Sequence, residues 1–276
     1  MGILYLVATP IGNLEDITLR ALRILKEVHL IGCEDTRHTA RLLAKYDIGT
    51  PRESYHKFNE KGRTQKFVQM LREGKNIALV SDSGTPLISD PGYELVASCR
   101  EESIPVISVP GPSAALAALV GSGLPAESFF FGGFLPSRRQ PRKRRLQELA
   151  HIPATLVLYE APHRLIASLE DMSAAWGSRR ACIARELTKI HEEFVHGTLA
   201  ELHALFKKRN RIMGEITVVI EQGEAVEEAV SYPASLKKHL EEEMAKTGLP
   251  RNEALKSVAK QRGITRKQAY NLLIDD

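Results

Sequence analysis

Short β-rich apolar runs alternate with amphipathic helical stretches from the first residues onward, and few folds accommodate that rhythm. LYLVAT, HLIGCE, NIALVS and IPVISV are separated by segments such as Asp16 to Lys26, where Leu19, Leu22 and Leu25 mark one face. The alternation specifies an α/β fold with a largely parallel sheet. The Gly/Pro-rich stretch LVGSGLPAESFFFGGFLPS interrupts it and is the expected hinge. A second α/β rhythm then runs through FFFGGF, ATLVLYE, a helix from about His163 to Ala175, ACIARE, EEFVHG and a helix opened by Thr198 and Glu201 at capping-box spacing. It closes on the strand GEITVVIEQ.

From Ser235 the pattern turns wholly helical. Leu236, Leu240 and Met244 share one helix face, and Leu255, Val258 and Ala259 another. Gly263 breaks the pattern before Thr265 and Gln268 cap a last helix. Two helices about a glycine turn, with Arg266 and Lys267 opening the second, resemble a helix-turn-helix; a packing or dimerisation appendage fits the same pattern. The expected organisation is an α/β domain over 1–122, a second α/β domain over 123–223, an acidic linker over 224–234 and a helical tail over 235–276.

Composition excludes more than it identifies. The 276 residues carry no biased tract that would indicate disorder, collagen or a membrane protein. Thirty-eight Lys plus Arg against 34 Asp plus Glu leave +4, so a polyanion partner must be sought in local clusters. Cys33, Cys99 and Cys182 are widely spaced and odd in number, which points to free thiols in a reducing compartment; no spacing suggests a metal. The start MGILYLVATPIGN lacks a basic n-region, and its apolar stretch is too short to span a membrane. A soluble, cytoplasmic protein is expected.

Three first-half strands end in Gly/Pro turns: Pro10-Ile11-Gly12-Asn13, Asp82-Ser83-Gly84-Thr85-Pro86 and Pro110-Gly111-Pro112-Ser113-Ala114. In an open parallel sheet such carboxyl ends lie along one edge, where small molecules bind. Neither GxxxxGK[ST] nor GxGxxG is present, and the loops hold no lysine. They suit a nucleoside or amino-acid moiety better than a triphosphate.

The ordered set ATPIGN, SDSGTP-LISDPG, VPGPSAA, LVLYEAPHR, ARELTK and GEITVVIEQ resembles the tetrapyrrole-methylase superfamily. CEDTRHT and SDSGTPLISDPG bring it closer to the ribosomal RNA small subunit methyltransferase I family, over about residues 3 to 223. The resemblance implies two α/β domains, class III methyltransferase in type, with S-adenosylmethionine in the cleft between them. It also implies 2'-O-methylation of a cytidine ribose in the decoding region of 16S rRNA, on naked rRNA or the 30S subunit, by a homodimer. By matching motifs, Pro10, Gly84, Thr85, Pro86, Ile88, Ser113 and Ala114 would contact the cofactor from the first domain, and Tyr159, Glu160, Glu215 and Ile216 from the second. Asn13 and the Gly84-Thr85-Pro86 turn depart from the superfamily's GxGPGD and GDP loops, and each departure removes a carboxylate.

A ribose hydroxyl is a weak acid, so some base must receive its proton, and a neighbouring cation would steady the developing alkoxide. Lys189 with Glu186 is the expected catalytic pair; Glu34, Asp35 and Arg37, after the second strand, are the alternative. RNA contact is expected from Arg138, Arg139, Arg142, Lys143, Arg144 and Arg145 in RRQPRKRR, together with Arg37 and Arg164. Lys207, Lys208, Arg209 and Arg211 form a second basic cluster, and His56, Asn59 and His163 are further candidates near a flipped-out nucleotide. Two other functions fit parts of the pattern: a small-molecule methylase acting on a tetrapyrrole-like substrate, and a non-enzymatic metabolite-binding regulator with a nucleic-acid-binding tail.

Overall fold

The computed structural model describes residues 1–223, 233 and 235–275. The chain divides into two compact units, Met1–Glu224 and Ala225–Asp276. The acidic stretch expected to link body and tail lies outside the described residues, apart from Pro233.

The first unit opens with five parallel strands: β1 (Leu4–Val7), β2 (Leu30–Cys33), β3 (Arg52–Ser54), β4 (Ile77–Val80) and β5 (Val106–Val109). Their spatial order is β3-β2-β4-β1-β5. Helices cover both faces, which is why β2 and β4 read as continuous apolar runs buried at every residue. On one face α1 (Leu19–Glu27) and α2 (Thr36–Lys45) set Ile24, Leu25, Leu42 and Leu43 against Val7, Ile31 and Val80. On the other, α3 (Glu60–Arg72) and α4 (Tyr93–Glu101) set Phe67, Leu71 and Leu95 against Leu4, Ile77 and Leu79. All three cysteines are buried thiols.

A short helix, α5 (Ala114–Gly121), leaves β5 and packs on the second sheet rather than the first. That sheet contains β6 (Phe129–Phe134), β7 (Thr155–Glu160), β8 (Arg180–Arg185), β9 (Glu193–Thr198) and β10 (Ile216–Ile220) in the order β6-β7-β10-β8-β9. Only β6 and β7 run parallel; the other pairings are antiparallel. Period-two alternation divides its two cores. Leu156, Leu158, Ile183 and Val218 face α6 (Arg139–Ala150), α7 (Leu165–Trp176) and α8 (Leu199–Lys207), while Val157, Cys182, Ala184 and Val219 face α5 together with Ile11 and Leu187. Each such side chain removed from water contributes about 1.5–3 kcal/mol, so this second cluster fixes one sheet against the other. The expected capping box starts α8: Thr198 Oγ1 accepts the Glu201 N–H at 3.2 Å, and Glu201 Oε2 accepts the Thr198 N–H at 2.8 Å.

The second unit comprises α9 (Leu236–Thr247), α10 (Arg251–Gln261) and α11 (Arg266–Asp275) around Leu240, Leu255, Val258 and Ala269. Thr265 and Gln268 cap α11 reciprocally, at 3.3 and 2.9 Å.

Candidate active site

The three Gly/Pro turns follow β1, β4 and β5, and the strand order makes those strands immediate neighbours. Their tips are stitched together. The Thr9 and Gly84 N–H groups donate to each other's carbonyls at 2.9 and 3.1 Å, Thr9 Oγ1 donates to the Ser81 carbonyl at 2.9 Å, and Thr85 Oγ1 donates to the Pro112 carbonyl at 3.2 Å. Gly84 sits at φ +84°, where a β-carbon would also press on Ile11 Cγ2 at 3.3 Å. Leu87 and Ser89, neither of them glycine, adopt φ of +71° and +69° in the same loop. Such strain costs of order 1–3 kcal/mol per residue and collects at ligand sites.

A cavity of about 390 Å³ opens between these tips and the second sheet. Gly84, Thr85, Ile88, Ser113 and Ala114 line it from the first sheet, and Tyr159, Glu160, Glu215 and Ile216 from the second. Ser113 also caps α5, accepting the Leu116 N–H. Two expected residues lie elsewhere: Pro10 borders a small pocket beside His38, Ser81 and Asp82, and Pro86 is buried in its loop. Ile11, Ser83, Ser89, Asp90, Phe134, Leu187, Gly214 and Thr217 also line the cavity and were not foreseen. Gly214 has φ +88°, and a β-carbon there would meet Glu186 Cδ at 2.3 Å.

Among the described residues, the lining contains Asp90, Glu160 and Glu215 but no lysine, arginine or histidine. Glu160 is committed to structure. Its Oε1 accepts the Ala161 N–H at 2.8 Å and stands 3.3 Å from Arg164 Nε, while its Oε2 accepts the Ser168 hydroxyl. Burial pushes the Tyr159 hydroxyl's pKa up, and the nearby Asp90 and Glu215 charges add to that.

Lys189 and Glu186 do come together. Lys189 Nζ donates to Glu186 Oε1 at 2.9 Å and to Glu215 Oε2 at 3.1 Å. They border a second, more open cavity of about 660 Å³ with Asn13, Lys45, Thr188 and His191. Burial favours neutral Glu186, but hydrogen bonds from Lys189 and the Glu215 N–H win and hold its pKa below the usual carboxylate range. Burial likewise disfavours the Lys189 ammonium, yet its two carboxylate partners raise its pKa. A carboxylate held low and an ammonium held protonated make Glu186 and Lys189 an ion pair at the edge of the second cavity. Asp35 caps α2, accepting the Arg37 N–H at 2.7 Å, and leaves Arg37 exposed.

The basic run needs a further correction. Arg142 is 4% exposed and meets Asp171 Oδ2 through Nε at 2.9 Å and Nη2 at 2.6 Å. Burial raises the Asp171 pKa, but Arg142 and Arg139 outweigh it and hold the carboxyl below its ordinary range. Arg139 is exposed but donates to Asp171 Oδ1 at 3.2 Å, and Arg145 pairs with Glu148 at 2.8 Å. Arg138, Lys143 and Arg144 are exposed, without an ion pair among the described residues. Arg164 is turned inward to the Leu135 carbonyl and Glu160, so it braces β6 and β7 instead of facing outward. In the second cluster Arg209 is held by Glu193 at 2.5 Å. Asn59 braces its own loop, accepting the His56 N–H at 2.8 Å and donating to the Ser54 carbonyl at 3.1 Å.

Residues 3–203 match the family model of the tetrapyrrole (corrin/porphyrin) methylases. The chain is 50% identical, over all of its length and 98% of the relative's, to a ribosomal RNA small subunit methyltransferase I of Synechocystis. It is 48% identical to the protein of that name from Halalkalibacterium halodurans, over 98% of this chain and 94% of that one. Among solved structures it is similar to a uroporphyrin-III C-methyl transferase from Thermus thermophilus complexed with S-adenyl homocysteine. There the TM-score is 0.56 at 23% identity, covering 82% of this chain and 99% of that one.

Proposed function

The chain belongs to the ribosomal RNA small subunit methyltransferase I family of the tetrapyrrole methylases, and from that premise we propose how its two sheets divide the work. It is an S-adenosylmethionine-dependent rRNA methyltransferase. The acceptor in this reading is the 2'-hydroxyl of a cytidine in the decoding region of 16S rRNA, presented by the 30S subunit to a cytoplasmic homodimer. Residues 1–122 and 123–223 act as the two halves that enclose the donor, and 235–276 as an RNA-facing tail.

The cavity fits the donor. Its volume lies in the range of small-molecule sites, and a wall with carboxylates, and without basic side chains among the described residues, suits a ligand whose sulfonium and ammonium outnumber its one carboxylate. Gly84, Thr85, Ile88, Ser113 and Ala114 would hold it from the strand tips, and Tyr159, Glu160, Glu215 and Ile216 from the opposite sheet. When bound, S-adenosylmethionine supplies an already activated methyl group, so alignment with the acceptor oxygen accounts for much of the acceleration. Lys189, kept protonated, is a cation beside the cleft that would steady negative charge. Arg138, Lys143, Arg144 and Arg37 supply exposed positive charge for phosphates.

The observation that carries this reading is an acidic chamber whose wall leads, within a few residues of chain, into the basic run. Phe134, in the cavity wall, ends β6, and Arg138 follows four residues later at the start of α6. The test is to supply labelled S-adenosylmethionine with 30S subunits, free rRNA or a porphyrinoid and to locate the label. Label on a 16S ribose is expected. Label on the macrocycle, or none despite donor binding, would overturn the reading.

A further inference from the structure

The carboxylates in the cavity wall are held in different ways. Glu160 is buried and accepts on both oxygens, and the largely exposed Glu215 carboxylate is paired with the Lys189 ammonium through Oε2 at 3.1 Å. Asp90 forms no ion pair among the described residues. The loop of left-handed Leu87 and Ser89 carries it into the cavity wall, half-buried. Its Oδ2 accepts a hydrogen bond from the buried Ser81 hydroxyl, which in turn accepts the Ser83 N–H at 3.1 Å. Its Oδ1 has no protein partner among the described residues.

Resting on the methyltransferase reading above, we propose that Asp90 is the catalytic residue that receives the proton of the acceptor hydroxyl, and that Ser81 is its positioning residue. The proton passes from the ribose 2'-oxygen to Asp90 Oδ1, and the electron pair of the O–H bond stays on oxygen. An oxygen lone pair forms the new O–C bond, and the pair of the broken C–S bond remains on sulfur. The protonated carboxyl then returns its proton to water.

The surroundings favour that task. The charged and titratable groups facing Asp90 are Asp82 in its own loop, Glu34 beyond β2, Tyr159 on β7, and Glu160 and Glu215 across the cavity; His56 stands near Glu34. Burial raises the Asp90 pKa, the Ser81 hydrogen bond pulls part of it back, and the Asp82 charge raises it again. A carboxylate whose proton affinity is moved toward neutrality is a stronger acceptor of a hydroxyl proton.

The test uses the full chain with 30S subunits as acceptor, comparing wild type, Asp90→Asn and Ser81→Ala. Single-turnover rates across pH are set beside S-adenosylhomocysteine affinity by calorimetry and a carboxyl-carbon NMR titration of the unliganded protein. Asp90→Asn is expected to slow transfer by about 10²–10⁴-fold, leave S-adenosylhomocysteine affinity within about twofold and abolish the acidic limb of the pH–rate profile. Ser81→Ala removes a bond that lowers the Asp90 pKa, so the limb and the NMR titration of Asp90 both move to higher pH. A wild-type rate and limb in Asp90→Asn would overturn the proposal. So would a loss of S-adenosylhomocysteine affinity matching the loss of rate, which would make Asp90 a donor-binding group. A wild-type protein that labels no ribose would instead sink the reading on which the proposal rests.

Discussion

Arg142 and Lys143 are neighbours in one basic run, and folding separates their roles. Removing Arg142 strands the buried Asp171 charge, so Arg142→Ala should cost about 3–5 kcal/mol in urea unfolding. Lys143→Gln should leave stability within about 0.5 kcal/mol and reduce the salt slope of RNA binding by roughly one. Nothing in RRQPRKRR marks the difference, because the partner that decides it lies 29 positions further along the chain. Two aspartates with opposite shifts give opposite pH behaviour. Asp171 is held low, so its contribution is present above the unfolded value of about 3.9 and is lost as pH falls through the folded one. Asp90 is held high, so its ionised form is penalised above its folded pKa and the penalty disappears below the unfolded one. Asp90→Asn should therefore raise the unfolding midpoint at pH 7 and give no gain near pH 3, a comparison that denaturant titrations at the two pH values can make. The trade of stability for activity would be local to one carboxyl.

Strand tips are the elements on which the site is built, and they were largely legible. A β-rich run that stops at Gly and Pro announces both its end and a close backbone approach, which is how the loops of Gly84 and Ser113 were marked; Ile216 came from the family resemblance alone. Adjacency was not legible, since the order β4-β1-β5 depends on crossovers rather than on any residue pattern. Gly214, Leu187 and Thr217 were missed although they lie within GEITVVIEQ and ARELTK, because a motif does not show which of its residues face a cavity. Gly84→Ala forces a β-carbon onto a left-handed residue that packs on Ile11, so it should cost upwards of 1 kcal/mol and weaken S-adenosylhomocysteine binding in calorimetry. Ser113→Ala removes the α5 cap and should cost about 1 kcal/mol in thermal unfolding, with a smaller effect on that affinity.

At the scale of the molecule, each compact unit has its own apolar core, and the acidic cavity belongs entirely to the first. A chain ending at residue 223 should keep S-adenosylhomocysteine affinity within about twofold. It should bind 30S subunits roughly tenfold more weakly in a filter assay, because exposed Lys237, Arg251, Arg266 and Lys267 leave with the tail. A chamber lined by carboxylates and, among the described residues, devoid of basic side chains also treats the two ends of a turnover unequally. The incoming molecule carries one more positive charge than the spent one, so the same walls that grip it beforehand relax their hold afterwards. Part of the drive for by-product release is thus electrostatic.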